Sequence, residues 1–530
     1  MKSIKKYILA LTIVSGTLNS CKHDLNEIVY SDVTEQTYKY ENAYAAMGIV
    51  YANIRTLFGH TNYYMIQETT SDELVMPANA SGWDDGGIFK RMHQHIWNSE
   101  NPQLLNMWNS LYRGVINANR VIEQLNEGKV PAPSGVSKEA LIAEMRSARA
   151  FFYWLILDNF GDAPLVTITT TALPDKALRK DIYNFVVNEL NESIPNLNEV
   201  TGTPMHGRFN KWAAKALLAN VYLNAKVYAN EDKWTDCITQ CNDIINSNKY
   251  RLEDNFRDVF KTLNEGSPEI VFAIPFDENR GGGFFVFMFS WHAALRDKFL
   301  MQSTPWGAGS AKAVPQFIDT YDADDKRLGD TWLMGQQFAA DGTTPLKGSY
   351  DLAGKNLVFT KELPDGLYTG EAEGYRMNKF EVKNGARFDL NNDFPFFRYA
   401  QVLLMKAECL ARTGNAGEAA VLVSQVRSRN FTDQAKATVT AAALQANSRY
   451  QYGYVENYKV VDPGNTAVVQ LGGLLDELGW EFAWEAHRRR DDIRFGVFTT
   501  KSWLSHKPQG DNRAVFMIPQ VAINSNPKLK

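Results

Sequence analysis

The stretch "RFNKWAAKALLANVYLNAKVYANEDKWTDCITQCNDIINSNKYRL", residues 208–252, decides the architecture. Small Ala residues at 213, 214, 216 and 219 sit among Leu217, Leu218 and Tyr222, the spacing of a helix that lets a neighbour approach closely. The pattern breaks at Ala229-Asn230, and Cys237, Cys241, Ile244 and Ile245 then mark the apolar face of a second helix. A small-residue helix, a short turn and an amphipathic helix make a tetratricopeptide-like unit of about 34 residues. "FFRYAQVLLMKAECLARTGNAGEAAVLVSQVRSRN", residues 396–430, repeats the plan, with Gly414 in the turn. Such a unit buries its apolar face only by stacking on a neighbour. The reading is therefore a mainly α protein, in which tetratricopeptide-like helical pairs stack as a scaffold.

Other segments extend the stack. "NPQLLNMWNSLYRGVINANRVIEQL" (101–125) places Leu104, Trp108, Leu111, Tyr112, Val115 and Ile116 on one stripe. In the segment that follows, Ser137 is a suitable N-cap, and Gly161 with Pro164 stops the helix after Phe160. "PEIVFAIPF" (268–276) reads as a strand, but from about Asp277 to Phe394 the chain is rich in Gly, Asp, Asn and aromatics with little periodicity. Long aperiodic segments in a folded body are functional loops more often than spacers. This division predicts an N-terminal helical part over 21–250, an irregular loop-rich insertion with a few short strands over 251–394, and a C-terminal helical part over 395–530.

The first residues have another character. Lys2, Lys5 and Lys6 precede an apolar run, and "ILALTIVSGTLNSCKHDLNEIVYSD" (8–32) carries that run to a lone cysteine before turning polar. That is a secretory signal over 1–20, too short for the roughly 20 apolar residues that span a bilayer. Cys21 is either incidental or the acceptor of a lipobox, Leu18-Asn19-Ser20-Cys21, and the second reading predicts a lipid anchor on a body that folds in water. Lys22 and Asp24 follow it, similar to a signal for surface exposure.

Composition narrows the function. The three Lys of the signal are its only charges, so beyond it 60 acidic residues face three fewer than 56 basic ones, with no basic stripe to meet nucleic acid. The four cysteines are too few for a disulfide framework, and Cys237 and Cys241, four apart on one helix, read as buried apolar residues rather than a bridge or metal pair.

Catalytic signatures are missing. The chain has no HExxH, no GxSxG and no Walker loop, and "ENRGGGFFVF" has glycines without the Lys or Ser/Thr that would meet phosphates. His93 and His95 have no third ligand nearby in sequence, so surface or loop histidines are expected rather than a metal site. Asp322, Asp324 and Asp325 would suit at most a loose calcium site, lacking the Gly and terminal Glu of an EF-hand, and no cofactor is expected. In "DELGWEFAWEAHRRRDDIRFG" (476–496), Glu477, Glu481 and Glu485 recur every four residues. They read as an ion-pair ladder that docks one helix on its neighbours, against the alternative of an acid/base pair. A carboxylate pair that meets only in space is beyond the reach of sequence.

The aromatic residues remain, 12 Trp and 23 Tyr among them. "ASGWDDGGIFKRMHQHIWNSENPQ" (80–103) sets Trp83 and Trp97 among Asp84, Asp85, Arg91 and Asn101, and "FSWHAALRDKFLMQSTPWGAG" (289–309) adds Trp291 and Trp306. A sugar ring has an apolar C–H face and a rim of hydroxyls, and flat aromatics flanked by Asp, Asn and Arg suit both.

Several segments together resemble the SusD/RagB family of outer-membrane nutrient-uptake lipoproteins. "RSARAFFYWLILDNFGDAPL" (146–165) is similar to its Arg-Ala-aromatic helix ending in Asn-Phe-Gly-Asp-x-Pro-Leu, and "RFNKWAAKALLANVYL" to its tetratricopeptide-like helix. "PFFRYAQVLLMKAECLARTG" (395–414) resembles the Arg-Tyr-Ala-Asp-x-Leu-Leu-x-x-Ala-Glu segment, with Gln401 where Asp is usual. "WEFAWEAHRRRDDIRFG" (480–496) resembles its Glu-x-x-x-Glu-x-x-Arg-x-x-Asp-Leu-x-Arg signature, with Arg490 and Asp492 in place of apolar residues, and "VFMIPQVAINSNPKLK" resembles the closing motif. The resemblance implies a non-catalytic surface lipoprotein that lids a SusC-like TonB-dependent transporter and captures nutrient, most often glycan, or peptide as in RagB-type relatives. It also implies lipidation at Cys21, an outer-membrane position and no membrane contact beyond the anchor. By position it selects Trp97 and Asn101, with Asp72, Trp83 and Arg91 beside them, and Trp291 and Trp306 from the mid-chain loops, as ligand-binding residues.

Overall fold

The computed structural model describes residues 42–530, which form one unit. The signal over 1–20, Cys21, Lys22 and Asp24 lie outside the described residues. Among the described residues, no helix is long and apolar enough to cross a membrane.

The helices that build the stack are α1 (Ala43–Arg55), α2 (Tyr63–Thr69), α3 (Ile88–His93), α4 (Pro102–Asn126), α5 (Lys138–Phe160), α6 (Arg179–Ser193), α7 (Lys211–Leu223) and α8 (Trp234–Asn246). After the strand β1 (Ile270–Ile274), a short α9 (Val286–Ser290) and the strand β2 (Phe394–Arg398) come α10 (Tyr399–Arg412), α11 (Ala416–Arg427), α12 (Gly472–Phe482) and α13 (Arg488–Arg494). Neighbours pair as the repeat pattern requires: α4 on α5, α5 on α6, α7 on α8, α10 on α11. The two tetratricopeptide-like units also pack on each other through α8 and α10, so helical parts far apart in sequence share one core. Cys237 and Cys241 of α8 and Cys409 of α10 are buried free thiols at that contact.

α5 is the axis of the stack. The side chain of Ser137 accepts the Ala140 N–H at its start, and Gly161 follows its last residue. Every side chain from Ser147 to Phe160 is buried, the signature of a helix covered on all sides rather than on one stripe. α4 crosses it at Gly114, where a Cβ would stand 2.3 Å from the Phe152 ring. The one charged side chain buried early in this run, Arg149, donates to the Glu189 carboxylate of α6 at 2.6 Å.

The insertion is tied at both ends. β1 and β2 pair antiparallel, Ile274 opposite Phe394 and Ile270 opposite Arg398, so the chain leaves and re-enters the stack at one place. Between them it holds two-residue ladders and short helical turns, with Phe276, Phe284, Phe380 and Phe394 packed beneath against Phe58 and Tyr64.

The charged segment near the C-terminus departs from the single helix its spacing suggests. α12 ends at Phe482, Trp484 and Ala486 take left-handed conformations (φ 67° and 60°), and α13 begins at Arg488. Buried partners hold this break: Lys379 donates to the carbonyls of Glu481 and Ala483, and Glu68 accepts the Ala486 N–H. The ladder itself holds. Arg398 donates to Glu485 (2.7 Å), Glu269 (2.8 Å) and Glu481 (2.7 Å), while Arg327 reaches Glu477 (2.8 Å) and Glu481 (3.0 Å). The two unexpected charges are also absorbed: Arg490 donates to the Tyr63 hydroxyl at 2.9 Å over the Trp154 ring, and Asp492 stands 3.2 Å from Arg488.

Next to this network, Glu68 and Glu73 are both buried and face each other, and both oxygens of Glu73 lack a partner in the hydrogen-bond network. Burial pushes both carboxyls up, Glu68 to about 7, so the folded protein holds a proton that the unfolded chain releases. The contribution is fully present below the ordinary Glu range and is lost as pH rises through about 7. Glu73→Gln gives Glu68 an amide donor and removes a buried carboxyl that has to take up a proton on folding. It is expected to raise stability at pH 8 by about 1–2 kcal/mol and to flatten the pH dependence. Urea unfolding at pH 5 and pH 8 measures this, and a variant weaker than wild type at pH 8 would contradict the assignment.

Candidate aromatic binding platform

The insertion and the first helices bring a set of aromatic rings to one surface. The connection between α1 and α2 carries His60, fixed because Asn62 both accepts the Tyr63 N–H and donates to the Thr56 carbonyl. The loop before α3 carries Trp83, which packs on Phe89 of α3 with centroids 5.7 Å apart. Phe285 precedes α9, Trp306 lies on the loop after it, and Phe388 sits on the return toward β2. The Trp306 loop is laced to α9 by Trp306 N–H to Met288 carbonyl (2.7 Å) and Ser310 N–H to Phe289 carbonyl (2.8 Å).

These rings form a continuous run. His60 stands 6.5 Å from Phe89 and 5.1 Å from Trp306, edge-on to the indole at 77°. Trp306 lies 6.0 Å from both Phe285 and Phe388, which are 4.8 Å from each other. Gly307 sets the closure: at φ 58° a Cβ there would fall 2.4 Å from the Ser81 hydroxyl, so the Trp306 loop meets the Trp83 loop only because this residue has no side chain. Phe388 is 38% exposed, and His60, Trp83, Phe285 and Trp306 are half-buried, each showing part of its ring to solvent.

A polar rim surrounds the rings. Arg91 donates to the Gly86 carbonyl, Asp84 pairs with Lys90 at 2.6 Å, and Asp389 accepts the Gly283 N–H at 2.7 Å. Arg387 is exposed and reaches Gln302 and Asn279 at 3.3 Å each. Burial lowers the His60 imidazole below its ordinary range, against the pull of Asp85, so near pH 7 it is neutral and offers one donor and one acceptor nitrogen. Flat apolar faces bordered by short-range donors and acceptors suit a ligand with a C–H face and a hydroxyl edge.

Of the residues selected from sequence, Trp83 and Trp306 lie on this run of rings, joined through Phe89 and His60, and Arg91 is on α3 with its guanidinium on the Gly86 carbonyl. The others are not part of it. Asp72 is fully buried, clamped by Arg488 (2.6 and 3.0 Å) and the Tyr452 hydroxyl, and belongs to the α13 network. Trp97 is 1% exposed, packed on Phe516 at 4.8 Å beneath Arg513. Asn101 is the N-cap of α4, its side chain accepting the Gln103 N–H, so its polarity serves the helix. Trp291 donates to the Met377 carbonyl and stacks on Phe299 at 4.4 Å, with 1% of its surface exposed.

One further expectation needs revision. His93 closes α3 and His95 sits in the turn after it, but both are buried rather than on the surface, and His95 packs against His506 at 4.0 Å within a cluster of Phe498 and Trp503. Burial pushes all three imidazoles down, His93 to about 3, so they behave as neutral core rings. The acidic run is committed to cations of the chain: Asp325 to Arg327, and Asp322 and Asp324 to Lys436. Among the described residues, no group of three or more His, Cys, Asp or Glu is placed to hold a metal ion.

Tryptophan positions alone do not point to His60, Phe285 and Phe388. A signal was present in the Gly-flanked run "GGGFFVFMFS" (281–290), where Phe residues sit in a segment too irregular for a core strand.

Comparison with known proteins adds independent findings. The SusD/RagB family model, described as the SusD family, matches residues 216–530, and one described as "Starch-binding associating with outer membrane" matches 51–223. The SusD-like protein P25 of Formosa agariphila is 26% identical over 408 residues, 74% of this chain and 70% of that protein. The starch-binding protein SusD of Bacteroides thetaiotaomicron is 26% identical over 395 residues, 68% of this chain and 65% of that one. Among solved structures, the surface glycan-binding protein A of Bacteroides thetaiotaomicron in complex with laminarihexaose superposes with a TM-score of 0.68 at 18% identity, covering 92% of this chain and 98% of its own. A laminarin-binding SusD-like protein gives a TM-score of 0.68 at 20% identity over the same shares. At these identities the superpositions establish the fold.

Proposed function

Since the chain belongs to the SusD family, we propose that it captures a glycan at the cell surface without altering it and passes it to a SusC-like TonB-dependent transporter of the outer membrane. The observation that carries the reading is the run of rings from Trp83 through His60 and Trp306 to Phe388 on one surface. Successive sugars would lay their C–H faces on Trp83, Trp306 and Phe388, while His60, Arg91 and Arg387 read hydroxyls along the edge. The names of relatives, a starch-binding protein and a surface glycan-binding protein solved with laminarihexaose, agree with that ligand class.

A capture role also fits the acids at the rim. Asp84 is paired with Lys90, and Asp389 accepts the Gly283 N–H. Glycoside hydrolysis needs two carboxyls free to act, one to protonate the leaving oxygen and one to attack or activate water. The lipid anchor on Cys21 completes the proposal, holding the body to the membrane while the platform faces outward. It is supported by the family description that places such proteins at the outer membrane.

Isothermal titration of the chain from residue 22 against starch, laminarin, xylan and a peptide digest tests the reading, with chromatography of the recovered ligand. The expected result is heat with one glycan class and an unchanged elution profile after hours. Heat from peptides alone would replace glycan by peptide as cargo, and shortened saccharides would replace capture by hydrolysis.

A further inference from the structure

A second aromatic surface is built from the same loops. Phe299 stacks on Trp291 at 4.4 Å with their planes 19° apart, and the indole N–H is fixed to the Met377 carbonyl, so the pair forms a rigid floor. Phe299 is half-buried, and the trough above it measures about 700 Å³, with Leu263 74% exposed at its margin. That volume lies within the few hundred to roughly 1,000 Å³ of small-ligand sites.

The rim says which ligand it suits. Most of its cations are already paired, Arg257 with Asp330 (3.6 Å), Lys261 with Asp258 (2.8 Å) and Lys383 with Glu278 (2.6 Å), while Lys298, 5.8 Å from the Phe299 ring, donates to the neutral Gln337 at 3.1 Å. Hydrogen-bonding groups remain: Asn384 is exposed, and Asn378 donates to the Gly329 carbonyl with its own carbonyl oxygen left over. An aromatic floor with neutral donors and acceptors suits an uncharged, polyhydroxylated ring.

The trough is also joined to the platform. Lys383 and Asn384 line it, while Phe388, four residues beyond Asn384, belongs to the platform; four residues reach no more than about 14 Å. Gln302 N–H to Ala386 carbonyl and Gly385 N–H to Phe299 carbonyl, both 2.9 Å, bind this connector to the segment that runs from Phe299 to Trp306. The two aromatic surfaces are thus fixed relative to each other by paired backbone.

We propose that the trough over Phe299 is a second subsite for neutral glycan, engaged by the same polysaccharide chain that lies on the Trp306 platform. The inference rests on the capture reading above. Two fixed subsites on one strand convert the second contact into an intramolecular one, so affinity grows with chain length beyond what the platform supplies alone.

The test uses matched pairs: amylopectin with maltotriose, laminarin with laminaritriose, xylan with xylotriose. For the pair that binds, Phe299→Ala is expected to lose about tenfold in polysaccharide affinity and to keep trisaccharide affinity within twofold. Because Phe299 supports Trp291, a second variant leaves the floor intact: Asn384→Cys carrying a fluorescein maleimide adduct, which fills the trough. The three native thiols in the described residues are buried and stay unlabelled. The same tenfold loss is expected. Full polysaccharide affinity in either variant overturns the second subsite while leaving the platform standing. Silence of the wild type on all three pairs overturns both.

Discussion

Arg398→Ala is expected to destabilise the protein by about 3–5 kcal/mol, the cost of breaking a buried ion network by removing one partner. Arg398 is 1% exposed and its guanidinium serves Glu269, Glu481 and Glu485 at once, joining the entry of the insertion to the end of α12. Burial pushes the Glu481 carboxyl up, but Arg429, Arg398 and Arg327 together hold it well below the ordinary range. Its contribution is therefore present above the unfolded-state value and is lost as pH falls through the lowered one. Without Arg398, Glu481 and Glu485 keep their burial and lose a shared counter-charge. Acid unfolding should then begin at a higher pH than in wild type. Urea midpoints at pH 7 and an acid titration followed by circular dichroism measure both effects. Arg398→Met with Glu481→Gln removes charge from both sides and should recover part of the loss, since a buried pair is worth little over its apolar replacement. A single-variant loss below about 1 kcal/mol would show that the network is not what holds the insertion to the stack.

The same network shows how far sequence carries. The Glu spacing in 476–496 announced paired charges, and the pairs are there, but the helix breaks at Trp484 because Lys379 and Glu68, far away in the chain, bind its backbone. Ser137 and Gly161 bounded α5 correctly because capping is a local property of the residues concerned. The repeat at 208–252 and 396–430 was legible for a similar reason: stacking requires an apolar face that one segment displays by itself. Burial is a property of the whole fold, and there the reading thinned. Trp83 and Trp97 share one segment and one composition, yet Phe516 and Arg513 from the C-terminal end cover Trp97 and leave Trp83 half open. His60 and Phe388 lie more than 300 residues apart and meet at Trp306 only through loop closures such as Gly307 against Ser81. No local pattern encodes that meeting.

Trp306→Ala is expected to weaken binding of the glycan that the protein selects by about 30- to 150-fold, or roughly 2–3 kcal/mol, the range of a central aromatic anchor. The indole is the ring that His60, Phe285, Phe289 and Phe388 all touch, with centroids 5.1 to 6.3 Å away, so its removal takes out the central stacking face. Trp83 lies at the end of the run with Phe89 as its aromatic neighbour, and Trp83→Ala should therefore cost less, about 1 kcal/mol. The ordering of the two variants carries more information than either value. A platform read by stacking places the larger loss at the centre, with thermal stability nearly unchanged because both rings are half-buried. Equal small losses would mean that the ligand lies elsewhere on the insertion. A large loss accompanied by a fall in melting temperature would return Trp306 to the packing of α9. Titration and a thermal melt on the same two samples distinguish these outcomes.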